Sequence, residues 1–534
     1  MITLIPDFSD VIRPLALDET LNLARVFMAN GQAFTVASTA MQPYWRGQLH
    51  DAGLFESPRW NAFDAIQDVQ EVDGIPLTMN QLGMPTALNV TYLPNQASFF
   101  DGMTLYATVA LTEAGYVDTV TFPEQDGVVQ VDQYDDRGFR TWRTWRRNGK
   151  LLRRSWYTAD GRLVMTQQAD DHVEIATGEQ GRFMQAVYPD MCHLVAEIVD
   201  RAIAQGTLAQ PIIATASAEL ADLRALLQAP TSLKLLAAPD NPRLGVLKAH
   251  LAQFSAADEL IVPTVADEER VTNLIKQLHL TGTPQLRYIP TYATTLSLGI
   301  SNELSMQMIA WNVGDLDQDT LRAMYKAQLS QLRQHDDRSM TIVVANEDQQ
   351  TWLNEQTAAW ARKALQVDMS SDDYQKAAEY RHALATHTLM VDMAQAMQPL
   401  VASDKWPGLM AAMDFLDRVQ ILPAMSPDDW QGLMQTARIY VDTGSRPVLA
   451  LQVAAVSAGV PQIIMTPSDL VIAGGNGRVV ANQGELTTAI TYYLATLAHW
   501  NEALVVSADQ IEKYAASNIM AAWQEVIGDG KAVR

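Results

Sequence analysis

Apolar and polar positions switch between two periods over residues 1–38. The run ITLIP is short and almost wholly apolar, as a buried strand requires. ETLNLARVFMANG then repeats its apolar positions at helical spacing and stops near Gly31, and AFTVAS reads as a second strand. This order predicts parallel pairing, because parallel neighbours need a crossover longer than a hairpin. From residue 177 the alternation returns in CHLVAEIVDRAIAQ (helix), PIIATAS (strand), AELADLRALLQA (helix), SLKLLAA and ELIVPT (strands), DEERVTNLIKQL (helix) and LRYIPTY (strand). A second series begins near 300 with MQMIAWNV (strand), DTLRAMYKAQLSQLRQ (helix) and MTIVVA (strand), and continues through the strands RVQILPA, ARIYVDT and PQIIM. SADQIEKYAASNIMAAWQEVIG predicts C-terminal helices that pack back across the domains.

The texture differs between 86 and 176. Short β-rich segments (SFFDGMTLYATVALT, YVDTVTF, GVVQVDQYDD) are separated by EQDG, DDRG, RNGK and ADGR, whose Asn-Gly and Asp-Gly steps supply the positive φ of tight hairpin turns. An antiparallel meander follows. The expected organisation is a first Rossmann-like domain made of 1–85 and 177–300, a β-meander extension over 86–176, a second Rossmann-like domain over 301–500, and C-terminal helices over 501–534. Few Gly, Ser or Pro residues cluster near 290–305, so no flexible linker is expected there.

Length and charge narrow the class. A chain of 534 residues is too long for one ordinary core. It has no uninterrupted apolar run of about 18 residues, which argues against a spanning helix. MITLIPDFSD has no basic stretch ahead of an apolar one, which argues against a signal peptide and for a cytoplasmic protein. With 38 basic and 61 acidic residues the formal charge is −23, which as a whole repels nucleic acid and anionic lipid. The single cysteine, Cys192, forms no internal disulfide and fits a reducing compartment. With His193 it lies in a helical apolar pattern, so the core reading outweighs a nucleophile. His382 and His387 are five apart and miss the spacing that puts two metal ligands on one helix face. No Walker-type loop, G-x-S-x-G elbow or CxxC is present, and no cofactor or metal is expected. The Met-rich MVDMAQAMQ reads as core or subunit interface.

Residues 421–489 carry the most specific pattern. A strand runs into a loop with Ser445, a helix of small residues follows, Gly459 and Pro461 turn into the next strand, and Asn476 with Gly477 precede a helix opening with Glu-Leu. In order and spacing this resembles the C-terminal domain of GT-B glycosyltransferases. In active relatives two glutamates eight residues apart accept from the donor's hydroxyls, while amides at the helix N-terminus favour its phosphates. Here Arg446 and Ala454 stand at those places and accept nothing. Where the relatives carry Gly-Arg-Leu and then a lysine, this chain reads Gly314, Asp315, Leu316, with Asp317 and Asp319 following. Acids beside a diphosphate weaken its binding, since like charges repel strongly where water is partly excluded. A donor site of this shape is electrostatically inverted.

The first third narrows the reading further. LDETLNLARVFMANGQAF, PYWRGQLHDAGLFE, NAFDAIQDVQEVDGIPL, QYDDRGFRTWRTWRRNGKLLRRSW and TADGRL together resemble the family of the first accessory secretory protein of the accessory Sec system of Gram-positive bacteria. The best markers are Phe63-Asp64-Ala65-Ile66-Gln67 and Asp135-Asp136-Arg137-Gly138-Phe139. The resemblance covers essentially the whole chain. It implies an α/β, GT-B-like fold: two Rossmann-like domains facing across a cleft, with an antiparallel β-meander attached to the first. It also implies a non-catalytic export adaptor with no cofactor, working with two sister accessory secretory proteins. Its client would be a glycosylated serine-rich repeat adhesin, delivered to the accessory Sec motor ATPase from the cytoplasm or from the membrane periphery through the export machinery.

Residues 137–162 hold Arg137, Arg140, Arg143, Arg146, Arg147, Lys150, Arg153, Arg154 and Arg162, interleaved with Trp142, Trp145, Trp156 and Tyr157. Residues two apart on a strand share a face, so Arg143 and Trp145 are expected on one surface and Trp142 on the other. The plain reading is a solvated face whose tryptophans are core on the reverse. The functional reading is a platform for client or partner, using Arg140, Trp142, Arg143, Trp145, Arg146 and Arg147. The global charge disfavours single-stranded nucleic acid. Two other functions remain open: an active transferase that modifies the adhesin, and a purely structural subunit.

Overall fold

The computed structural model describes residues 1–8, 18–70, 73–125, 127–229, 231, 233–237, 241–254, 258–279 and 282–528. Parts of six expected segments lie outside them: 9–10 of the N-terminal stretch, 17 of LDETLNLARVFMANGQAF, 71–72 of the marker NAFDAIQDVQEVDGIPL, 126 of the EQDG turn, 232 and 238 of SLKLLAA, and 529–534 of the C-terminal tail. The chain divides into two compact units, residues 1–291 with 520–534, and residues 292–519.

The first unit contains a parallel seven-stranded sheet in the spatial order Gln285–Tyr288, Glu259–Val262, Leu233–Leu236, Ile212–Thr215, Ile2–Ile5, Phe34–Ser38, Arg59–Asn61. Its central strands are buried along their full length, which is why they read as continuous apolar runs rather than alternations. Lys234 is buried within one such run and is neutralised by Glu259 at 2.5 Å. The helix Glu19–Ala29 starts where Asp18 accepts from the amides of Thr20 and Leu21, and Asp18 also accepts from the Thr215 hydroxyl at 2.8 Å. One cap thereby ties the helix to the neighbouring strand.

The same unit carries a ten-stranded antiparallel sheet running in sequence order from Asn89–Leu93 to Val187–Tyr188. The hairpin joining Arg140–Arg147 to Lys150–Tyr157 turns at Asn148 (φ 50°) and Gly149 (φ 78°), two successive positive φ values that explain the Asn-Gly pair. The sheet is held unevenly. Trp156, Val164, Met165, Val173 and Ile175 share one core with the parallel sheet and its helices. Strands nearer Asn89 rest on a smaller cluster of Ala97, Phe99, Ala107, Val109, Val117 and Val120. At that end Tyr92, Leu93 and Met103 are exposed.

The second unit is a parallel six-stranded sheet ordered Val419–Leu422, Arg338–Val343, Gln307–Asn312, Ala437–Asp442, Gln462–Ile464, Gly477–Val479. Four helices between Glu347 and Leu416 separate two of its adjacent strands. One of them, Val391–Val401, holds the Met-rich stretch, and only Met397 on it is buried while Met390 and Val391 lie open. A core role for that stretch is thereby reduced to one residue. The C-terminal helical run is broken at Tyr514 and Ala515, where the Tyr514 carbonyl accepts from the Thr294 amide at 3.0 Å, giving helices Leu497–Lys513 and Ala516–Gly528. In the first unit Trp523 is fully buried edge-on against Phe27.

Candidate functional site

The two marker motifs meet. Arg137 forms a double hydrogen bond with Asp64, at 2.7 and 3.0 Å, and a second with Asp135, at 2.7 and 2.9 Å. Gln67 donates to the carbonyls of Thr141 and Tyr157 at 3.0 and 2.6 Å, and Phe63 stacks on Trp156 with centroids 6.4 Å apart. FDAIQ and DDRGF are therefore the joint between the α/β layer and the antiparallel sheet. Gly138 is obligatory there: its φ is 91°, and a Cβ would lie 2.4 Å from the Ile75 carbonyl oxygen. Asp136 accepts from the amides of Arg46 and Gly47 at 2.8 and 3.2 Å. Burial and the neighbouring Asp135 push the Asp136 carboxyl up to about 6 despite those bonds.

The structure sorts the arginines that sequence grouped together. Arg143 clasps Asp132 with two nitrogens, one contact being 2.6 Å, and Arg140 lies 3.5 Å from the same carboxylate and over the Tyr157 ring. Arg162 pairs with Glu179 and Asp160. Arg146, Arg147, Lys150 and Arg153 are exposed around the Asn148–Gly149 turn and have no carboxylate partner among the described residues. Trp145 stays half-exposed, with Arg153 over its ring at 4.1 Å and Arg143 at 5.8 Å, so Arg143 and Trp145 do share a surface. Trp142 packs against the main core on the reverse. The accessible basic patch is thus the tip of this hairpin, and Arg140 and Arg143 belong to its internal bracing.

In the second unit the loops of the GT-B-like pattern close on each other. Asp315 accepts from the Ser445 amide at 2.6 Å and from its hydroxyl at 2.5 Å. Burial works against the Asp315 charge, but the Ser445 bonds and nearby Arg446 outweigh it and hold the carboxyl below its ordinary range. Gly314 (φ 62°) lets the loops touch, since a Cβ would lie 2.6 Å from the Gly444 Cα. Behind them Asp442 accepts from the Gly444 amide at 3.1 Å and the Tyr440 hydroxyl at 3.2 Å, and it also bonds the Val448 amide. Its complete burial raises its carboxyl to about 6. Val448 is the cap residue ahead of the helix Leu449–Ser457, so Asp315 and Asp442 hold the backbone amides of the loop that leads into this helix. Asp317 caps the helix Gln318–Leu332, and Asp319 pairs with Arg322. Ala454 packs against an apolar cluster. Asn476 is fully buried, accepting from the Ile472 amide and donating to the Leu470 carbonyl, which makes it a loop brace.

Cys192 is half-buried, with its thiol pushed up to about 11 by burial and then by Asp190 and Asp222, so it stays protonated near neutrality. His193 bonds Asp190 at 2.8 Å. Among the described residues no cluster of metal-ligating side chains occurs, and no helix is long and apolar enough to cross a membrane.

Two parallel-sheet α/β units, one bearing an antiparallel sheet, define a GT-B glycosyltransferase-like architecture. A solved chain of the pneumococcal O-GlcNAc transferase GtfA, in complex with UDP and GlcNAc, shares it with a TM-score of 0.66 at 11% identity, covering 100% of this chain and 99% of that one. The family model for the accessory Sec system protein known as accessory secretory protein 1 matches residues 5–529, and the chain belongs to this family. The family member of Streptococcus gordonii is 22% identical over 516 residues, 96% of this chain and 93% of that protein. A chain in the crystal structure of accessory secretory proteins 1, 2 and 3 of Streptococcus pneumoniae superposes with a TM-score of 0.75 at 19% identity, with 100% of both chains covered.

Proposed function

We propose that the chain is a non-catalytic adaptor of the accessory Sec pathway. It binds two sister accessory secretory proteins and a glycosylated serine-rich client, and helps deliver that client to the export motor ATPase from the cytoplasmic side. The observation that carries the non-catalytic reading is the closure of Gly314–Asp315 onto Gly444–Ser445, with Asp315 and Asp442 holding the loop amides. A nucleotide-sugar diphosphate arriving there meets the Asp315 carboxylate on the Ser445 amide, and behind it the Gly444 amide is already taken by buried Asp442. The relative solved together with proteins 2 and 3 supports the sister partners. For the client or a partner, the surface is the hairpin tip of Arg146, Arg147, Lys150 and Arg153 beside Trp145, where guanidinium groups donate and the indole offers an apolar face.

Isothermal titration of the purified chain, alone and with its sister proteins, tests this against UDP-GlcNAc, UDP-glucose and a serine-rich repeat fragment with and without sugar. Fragment binding with no nucleotide-sugar binding supports the adaptor. Tight nucleotide-sugar binding reverses the assignment in favour of a transferase. Binding to the sister proteins alone leaves a structural subunit.

A further inference from the structure

The three sheets end in six edge strands among the described residues, and five of them are closed to a newcomer. Arg59, Arg287 and Arg478 put a charge on three of these, and Val187–Tyr188 is only two residues long. Val419–Leu422 is held by the helix Glu347–Ala364, whose Gln350 donates to the Ile421 carbonyl at 3.1 Å. Charge, brevity and cover are the usual guards against stray strand pairing. Asn89–Leu93, the far edge of the antiparallel sheet, has none of them. Its five residues are all exposed, it pairs with Gln96–Asp101 without a bulge, and it contains neither proline nor charge.

Three features of this edge define what it takes. The first is backbone. The two-residue turn Pro94–Asn95 makes Leu93 and Gln96 a hydrogen-bonded pair, and such pairs alternate along an antiparallel ladder, so the N–H and C=O of Val90 and Tyr92 point outward. The second is charge. Residues 74–100 contain no acidic or basic side chain and no histidine, in a chain of net charge −23. A charged segment finds no counter-ion there, and two copies of the chain repel each other. The third is side chains. Thr91 pairs with Ser98, Ser98 with Thr108 and Thr108 with Thr121, a row of hydroxyls that runs across four strands to the edge. Cross-strand hydroxyl pairs of this kind stabilise a sheet. On the opposite face Val90 and Tyr92 offer apolar surface beside Phe99 and Ala97.

An occupant must therefore be extended, uncharged and recognised by its backbone, with hydroxyls at alternate positions that continue the row ending at Thr91. A serine-rich segment meets all of these conditions. Strand addition suits it further, because main-chain hydrogen bonds bind a chain that has few distinctive side chains. We infer that Asn89–Leu93 takes an uncharged segment rich in serine and threonine as an added strand of the antiparallel sheet. The inference deepens the adaptor reading and rests on it in naming the client's repeat polypeptide as that segment. The basic hairpin tip remains the surface for a charged contact.

The test titrates the full chain with a capped peptide of alternating serine and alanine, using a peptide of alternating serine and glutamate as counter-probe, and follows heat and backbone amide exchange. Saturable binding of the neutral peptide is expected with Kd on the order of 0.1 mM, unchanged between about 0.05 and 0.5 M salt, with slowed exchange over 89–93. Val90→Pro removes one outward N–H while sparing the ladder to Gln96–Asp101, and Tyr92→Lys puts a charge on the edge. Each should weaken binding about tenfold with unchanged melting. If Val90→Pro disturbs folding, Tyr92→Lys decides alone. No saturable binding, protection confined to residues other than 89–93, affinity that falls with salt, tighter binding of the acidic peptide, or a dimer of the chain that Val90→Pro dissolves would each overturn the inference. Glycosylated client fragment bound as tightly by the Val90→Pro chain as by the unsubstituted one would also overturn it, while the adaptor reading would stand.

Discussion

Two acid-rich loop sites, one in each unit, end in opposite states. Around Arg137 the carboxylates of Asp64 and Asp135 are matched by a guanidinium, and a pocket of about 600 Å³ stays open beside them. Around Ser445 the carboxylates of Asp315 and Asp442 hold backbone amides, with Arg446 near Asp315, and the loops meet at Gly314 and Gly444. The difference lies in what the acids grip. A guanidinium bridges two segments at a distance and preserves space, whereas a carboxylate on an amide pulls two backbones into contact and removes it.

The largest effect should come from breaking the joint behind the first site. Trp156 is fully buried against Phe63, so Trp156→Ala should cost about 3–5 kcal/mol in denaturant unfolding. Next, Arg137→Met leaves Asp64 and Asp135 without their cation and should destabilise the first unit by about 3 kcal/mol. A loss within about 0.5 kcal/mol would mean that the joint is held by packing alone.

The second site is sharpened by pH. The folded pKa of Asp442, about 6, lies above the ordinary value of 3.8, so the folded state binds the proton more tightly than the unfolded one. Stability from this group is then present below about pH 4 and lost as pH rises through 6, at up to about 1.4 kcal/mol per pH unit. Asp442→Asn removes that slope. The melting temperature of the unsubstituted chain should therefore fall relative to the variant between pH 4 and 6.5, and parallel profiles would contradict the assignment. Asp315→Ala frees the Ser445 amide and should cost about 1 kcal/mol. If nucleotide-sugar binding then appeared, Asp315 would be the group that excludes it. The smallest stability change, within about 0.5 kcal/mol, is expected for replacing Arg146, Arg147 and Arg153 together, while fragment or partner binding weakens and loses salt dependence.

Much of the fold was legible before any coordinates. Continuous apolar runs such as ITLI mark strands buried on both sides, and Asn148-Gly149 marks a hairpin whose two positive φ values it supplies. The site was legible only in part. Arg143 and Arg146 are alike in sequence, yet one is clasped by Asp132 and the other is exposed. Asn476 has the look of a ligand-loop residue but braces its own loop from a fully buried position.

The sequence by itself determined the alternation of strands and helices, the hairpin turns, the marker motifs and the residues at the donor-loop positions, because period, turn φ and residue identity are local properties. Only the tertiary structure decided which charges are engaged, which loops close and where space remains. The partners concerned are distant along the chain: Arg137 reaches an acid 73 residues away, and Asp315 meets an amide 130 residues away. No local pattern encodes such pairings, since it is the packing of the sheets that brings them within hydrogen-bonding distance.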